Sequence, residues 1–179
     1  PQDSTGGLNA AELAELHRRH LWLHLTNHKL FATQEPPIMV EGHGFIVKDI
    51  HGQEYVDGLS GGVWAVNVGY GRESIIKAVC EQMKRLPYYA GSMATPPYIL
   101  LAQKLASLLP NLPKVYISNS GSEANEKAFK ITRQYFREKY PRKNKYKIIY
   151  RNRDYHGTTL GALASGGQKE RKVKFGPLP

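Results

Sequence analysis

The stretch Asn119-Ser120-Gly121-Ser122-Glu123-Ala124-Asn125 holds the residue types that most directly suggest chemistry in this chain. A β-rich run, Val115 to Ser118, ends there in a glycine turn that opens into an amphipathic helix read from Glu123 to Tyr140. A helix start leaves backbone N–H groups without partners and carries the positive end of the helix dipole. A phosphate seated there gains hydrogen bonds and charge compensation together. Gly121 lets the backbone approach closely, and Ser122 adds a hydroxyl. The same residues also suit plain capping, because Ser and Asn are common N-cap residues. Spacing alone leaves both readings open.

Two further segments bear on the choice. After a second β-like run, Tyr146 to Arg151, the sequence Asp154-Tyr155-His156-Gly157-Thr158-Thr159 places an aromatic at a strand end. Upstream, Ser60-Gly61-Gly62-Val63-Trp64 through Val68-Gly69-Tyr70-Gly71 forms a glycine-rich loop with aromatic residues. Together the three segments resemble the class III, or omega, aminotransferases, which use pyridoxal 5'-phosphate on an α/β fold known as fold type I. The resemblance runs from about Leu21 to the last residue and is nearest to the taurine–pyruvate members. It implies the N-terminal segment of that fold plus the beginning of its large parallel-sheet domain. Residues 1–72 would form a helix and β-meander segment of the small domain, and 73–179 the first part of the cofactor-binding domain. The lysine that holds the cofactor and the aspartate at its ring nitrogen are expected outside this span, so the chain alone is expected to be inactive.

The resemblance also implies roles for individual residues. Ser120, Gly121 and Ser122 form the phosphate cup, and Tyr155 stacks on the pyridine face. Gly157 relieves crowding beside the ring. His156 has a side chain suited to general-base work, but the matching family residue supports the cofactor region. Val63 and Trp64 wall the substrate pocket. Tyr88 and Ser92, in the segment Leu86 to Ser92, and Phe31 line the same pocket. Relatives that favour bulky amines carry an aromatic where Ser92 stands, which leaves the size of the amine open. The implied reaction moves an amino group from an ω-amino acid or amine, taurine or β-alanine among them, to pyruvate. The implied partners are the amine donor, the keto-acid acceptor and a second copy of the chain, with the active site at the subunit interface. A non-catalytic cofactor-binding half is the alternative.

The formal net charge is +10 over 179 residues, with basic runs at Arg142 to Lys147 and Lys169 to Lys174. Such runs, interleaved with Tyr146 and Tyr150, have the look of a nucleic-acid footprint. Solvated loops and strand edges carry the same composition, and no nucleic-acid partner is expected. The single cysteine, Cys80, excludes an internal disulfide framework and suits a reducing compartment. It shares a helical face with Ile76, Val79 and Met83, so a buried small hydrophobe is expected. No apolar run is long enough to span a bilayer, and the opening residues lack the basic start and apolar core of a signal peptide. A soluble cytoplasmic protein follows, with no membrane partner.

Residues 1–8 form a loose leader. Asn9 caps a helix reaching roughly to His28, with Leu13, Leu16, His20, Leu23 and Asn27 at helical spacing. His17, His20, His24 and His28 then share one surface; they could bind a metal, although completing ligands are not placed nearby and no metal is expected. From Ile38 to Leu59 the pattern is extended, Gly44 to Ile50, a turn at Asp49-Ile50-His51-Gly52, then Gln53 to Asp57, which predicts a β-hairpin or small meander. Helices follow at Glu73 to Leu86 and Pro97 to Leu109, the second with Leu101, Leu105 and Leu108 toward a core. The strand, long helix, strand order that follows predicts a βαβ unit. Its ligand would sit outside the carboxyl ends of parallel strands.

Overall fold

The computed structural model describes residues 5–179. The expected leader lies partly outside this span; within it, residues 5–7 form a turn. The chain divides into two compact units at residues 92 and 93.

The first unit opens with α1, Ala10–His20. Asn9 accepts from the Glu12 N–H at 3.0 Å, and Glu12 accepts from the Asn9 N–H at 2.9 Å, a reciprocal capping box. The helix stops one turn after its buried pair, Ala14 and His17, well short of His28. Its last turn is basic, with His17, Arg18, Arg19 and His20, as the negative end of a helix dipole favours. Leu21 is extended, Leu25 takes φ +50°, and Asn27 accepts from the Lys29 N–H to begin a separate 3-10 turn, His28–Ala32. The predicted single surface of four histidines is therefore not formed. His17 instead packs edge-on against Phe31, ring centroids 4.9 Å apart, and His28 meets the same ring at 5.8 Å. Among the described residues no three His, Cys, Asp or Glu side chains gather as metal ligands would.

The expected meander is present: β1 (Met39–His43), β2 (Ile46–Asp49) and β3 (Glu54–Val56) pair antiparallel in sequence order. The Asp49 carboxylate builds the turn by accepting from the N–H groups of His51 and Gln53, each at 2.9 Å, and from the Tyr55 hydroxyl at 2.8 Å. Gly52 supplies the positive φ, +81°. Lys48 bridges Glu41 across the sheet at 3.0 Å. The chain then returns to the hairpin, where Gly44 and Tyr70 exchange backbone hydrogen bonds at 3.1 and 2.8 Å. The Tyr70 ring lies over Gly42, where a Cβ would stand 2.7 Å from a ring carbon.

Helix α2, Glu73–Arg85, completes this unit; the second contains α3 (Pro96–Leu108), α4 (Gly121–Lys139), α5 (Leu160–Ala164) and α6 (Lys169–Lys172). Pro96 at the first turn of α3 and Ser120 before α4 mark starts the sequence announces. The amphipathic faces of these helices are largely uncovered. Cys80 is exposed together with Ile76, Val79 and Met83, correcting the expectation of burial. Leu101 and Leu108 are likewise exposed, and Leu105 is half-buried. An apolar stripe states what a helix can bury, not what lies against it.

The predicted strands on either side of α4 are a second correction. Neither 115–118 nor 146–151 forms a backbone ladder with any described residue, so no parallel pair or βαβ unit appears. Side chains of α4 take carbonyls from both runs instead: Lys127 donates to the Ile117 carbonyl at 2.8 Å and Arg133 to the Tyr146 carbonyl at 3.2 Å. The basic runs partly pair with rings of this chain, Lys145 over Phe136 and Tyr140 and Lys172 over Tyr150 at 4.2 Å. No helix among the described residues is long and apolar enough to cross a membrane.

The Tyr70 contact yields a stability prediction. In the full-length gene product, Gly42→Ala should cost roughly 1–3 kcal/mol through overpacking. Gly58→Ala, with nothing within 4 Å of its added Cβ, should change stability by less than about 0.5 kcal/mol. Denaturant unfolding measures both; equal effects would deny the Gly42–Tyr70 contact this importance.

Candidate cofactor and substrate site

The sequence-predicted residues fall into two groups, one in each unit. In the second unit, Ser120 is the N-cap of α4; its hydroxyl oxygen accepts from the Glu123 N–H at 3.2 Å, and the Glu123 carboxylate accepts from the Asn119 N–H at 2.9 Å. The Ala124 N–H bonds to the Ser120 carbonyl. Among the described residues this leaves the N–H groups of Gly121 and Ser122 without a protein acceptor, at the positive end of a 19-residue helix. Two adjacent free donors of this kind suit an anion.

The segment 155–162 is fastened to this helix start by three side chains one helical turn apart. Ser122 Oγ accepts from the Thr158 N–H at 3.0 Å, which leaves its own hydroxyl proton free to donate. Asn125 Nδ2 donates to the His156 carbonyl at 2.6 Å. Glu126 Oε1 accepts from the Thr159 hydroxyl at 2.6 Å and from the Ala162 N–H at 3.0 Å. The Thr159 hydroxyl first, then the N–H groups of Ala162 and Gly161, hold the Glu126 carboxyl below its ordinary range against the opposing effect of burial. Gly157, buried at φ +138°, makes the closest approach: a Cβ there would lie 2.4 Å from Ser122 Oγ and 2.9 Å from Ala162 Cβ. The crowding that Gly157 relieves in this structure is thus against the helix start.

Tyr155 enters this junction with its ring half exposed and the Arg171 guanidinium 5.2 Å from the ring centroid. His156 Nε2 stands 3.9 Å from the Asp154 carboxylate, which also pairs with Arg151 at 3.1 Å. A groove of about 520 Å³ along α4, lined by Phe129, Arg133, Tyr146 and Tyr150, contains none of the predicted site residues.

In the first unit, Val63 and Trp64 sit on a turn, Ser60–Trp64, with side chains largely exposed. Tyr88 is exposed, as is Ser92, while Phe31 is half-buried against His17 and His28. Asn125 and Glu126 join the site as anchors that residue type alone does not announce. Their spacing from Ser122, three and four residues, places all three on one helix face, and that signal was available. Asp57 carries no such signal, yet its carboxylate accepts from the Gly61 N–H at 2.5 Å, the Tyr70 hydroxyl at 2.8 Å and the Leu59 N–H at 3.1 Å. The Gly61 bond first, then Tyr70, holds that carboxyl below its ordinary range.

Residues 31–179 match the family model described as aminotransferase class-III. The chain belongs to the class III aminotransferases, pyridoxal-phosphate-dependent enzymes of fold type I. It is 51% identical over 162 residues to the hypotaurine/taurine–pyruvate aminotransferase of Paracoccus denitrificans, covering 90% of this chain and 35% of that protein. It is 53% identical over 168 residues to the taurine–pyruvate aminotransferase of Bilophila wadsworthia, covering 94% of this chain and 36% of the relative. An (S)-enantioselective omega-transaminase from Thermomicrobium roseum superimposes with a TM-score of 0.91 at 38% identity, over 96% of this chain and 39% of that one. The chain thus spans little more than a third of the length of these relatives.

The Glu126 junction should respond to acid with a definite sign. Because its folded pKa is depressed, its contribution is complete above the ordinary glutamate pKa, about 4.3, and is lost as pH falls through the lower folded value. In the full-length gene product, Glu126→Gln should lower the melting temperature at pH 7 and flatten its decline between about pH 5 and 3. Parallel pH profiles for variant and parent would remove Glu126 from this role.

Proposed function

We propose that this chain is the N-terminal part of an enzyme that transfers an amino group from an ω-amino acid, taurine or β-alanine among them, to pyruvate. The observation that carries the cofactor side of this reading is the pair of unpartnered N–H groups at Gly121 and Ser122, with the Tyr155 segment fastened beside them. Identity above 50% to taurine–pyruvate aminotransferases supports the substrate side.

In this reading Gly121 and Ser122 bind the cofactor phosphate through their N–H groups, and the Ser122 hydroxyl donates a further hydrogen bond. Ser120 holds the cup open by capping the helix itself. Tyr155 fixes the plane of the pyridine ring by stacking, worth about 1 kcal/mol beyond simple burial. His156 supports that segment through its carbonyl, and Gly157 lets the segment close on α4. When bound, pyridoxal phosphate supplies an electron-withdrawing ring that stabilises charge on the carbon from which the amino donor loses a proton. Val63 and Trp64 limit the size of that donor, with Tyr88, Ser92 and Phe31 completing the wall. A solved omega-transaminase 32% identical to this chain is a tryptophan-to-glycine variant engineered for bulky amines, which supports an indole as a size gate in this family.

The reading places residues 1–72 in the small domain and 73–179 in the large one, in a cytoplasmic homodimer whose sites lie at the subunit interface. It makes the 179 residues inactive alone, because the lysine that holds the cofactor in the family has no counterpart assigned among them.

The full-length gene product should form alanine from pyruvate with taurine or β-alanine as donor; absence of alanine with every ω-amino acid tried would refute the assignment. Tyr155→Ala should weaken cofactor retention about tenfold, read as loss of the bound chromophore on dialysis, whereas Tyr155→Phe should retain it. Unchanged retention in Tyr155→Ala would exclude stacking.

A further inference from the structure

The turn Ser60–Trp64 takes a backbone conformation that its residue types do not favour. Ser60, Gly61, Gly62 and Trp64 all have positive φ, between 56° and 78°. Glycine adopts that region freely, but serine and especially tryptophan do so against their preference. Trp64 is 74% exposed and Val63 70%, so the packing of their side chains does little to hold them there. What holds the turn is polar: its own backbone bonds, the Trp64 N–H to the Leu59 carbonyl at 3.0 Å and the Ala65 N–H to the Ser60 carbonyl at 2.7 Å, and a carboxylate at its base.

Asp57 follows β3 and is fixed by its own N–H bonding to the Phe45 carbonyl at 2.8 Å. Its Oδ1 accepts from Leu59, and its Oδ2 accepts from both Gly61 and Tyr70. Tyr70 is itself anchored to the hairpin through its paired bonds with Gly44 and its ring over Gly42. Across the neck of the loop, the Ser60 hydroxyl donates to Asn67 Oδ1 at 2.9 Å. One carboxylate thus ties the left-handed turn to both ends of a loop whose feet stand on the sheet. Three donors converge on two oxygens, which suits a carboxylate and not an amide, since an amide NH2 would face an N–H.

We infer that Asp57 is a positioning residue: its carboxylate holds the 60–64 turn in the conformation that presents Trp64, and thereby sets the size of amine the site accepts. The second half of this inference rests on the reading of Trp64 as the wall of the amine pocket.

Asp49 provides a matched control. It organises the hairpin turn with the same kind of set, two N–H groups and a tyrosine hydroxyl, and among the described residues it makes no hydrogen bond to the 60–64 turn. In the full-length holoenzyme, D57N, D57A, Y70F, D49N and W64G would be compared for melting temperature, for amide hydrogen exchange across residues 59–66, and for kcat/KM with β-alanine against 1-phenylethylamine. D57N and D57A should accelerate exchange at 59–66 and shift the kcat/KM ratio toward the bulky amine by at least fivefold, mainly through the KM of the small donor. Y70F should do so about half as strongly on a logarithmic scale. D49N should lower the melting temperature comparably yet leave the ratio unchanged. If W64G shifts the ratio and the Asp57 variants do not, the inference fails while the pocket reading stands. If W64G leaves the ratio unchanged, the pocket reading fails, and with it the claim on amine size. Exchange at 59–66 no faster in D57N and Y70F than in D49N would overturn the latch itself. Should D57A fail to fold, D57N and Y70F carry the same comparison.

Discussion

The candidate cofactor site depends on one junction, in which Ser122, Asn125 and Glu126 hold the segment from Tyr155 to Ala162 against the start of α4. Each anchor satisfies a backbone group that would otherwise be open: the Thr158 N–H, the His156 carbonyl and the Ala162 N–H. The contacts span more than thirty residues of sequence, so they are what makes a local helix start and a distant aromatic parts of one place. Gly157 and Gly161 permit the approach, the second because a Cβ there would collide with the Glu126 carboxylate. Polar side chains therefore join these two segments, beside the buried Ala162 and Leu163.

The first unit uses the same device twice. Asp49 and Asp57 each gather two backbone N–H groups and one tyrosine hydroxyl, one to fold the β2–β3 turn and the other to hold the glycine loop. A carboxylate is suited to this because it accepts only, and tight turns present donors that no regular element satisfies. The donated bonds also stabilise the ionised form, which is why the Asp57 carboxyl lies below its ordinary range while its partner Tyr70 is pushed up.

Much of the secondary structure was legible because its signals are local. Asn9, Asp49 with Gly52, Pro96 and Ser120 each announce an element within a few residues of its start. The end of α1 was not, since apolar spacing continues through Leu23 while the backbone is already extended at Leu21. The runs at 115–118 and 146–151 have strand composition, but a strand exists only through a partner, and here one carbonyl of each accepts from an α4 side chain, Lys127 or Arg133. Cys80 was misread for a related reason: helical periodicity defines a face without supplying the surface that covers it. At the candidate site, the glycines and the aromatic stood out as composition. Glu126 and Asp57 did not, because a single carboxylate in a polar stretch carries no mark of the donors that converge on it.

The division of labour at the head of α4 explains why two donors stay open. An α-helix begins with four N–H groups lacking intrahelical partners. Here the Ser120 hydroxyl takes that of Glu123, and the Ser120 carbonyl begins the helical series at Ala124. Glu123 turns its carboxylate back to the Asn119 N–H, so it fixes the approaching chain while the N–H groups of Gly121 and Ser122 stay without a protein acceptor. Had Glu123 taken the Gly121 N–H instead, its charge would have competed with a phosphate for the same dipole. Instead the acidic side chain rigidifies the turn, and the glycine beside it offers no Cβ to shield its N–H. Capping and anion binding, which spacing alone presents as rival readings, are compatible here because they use different donors of the same four.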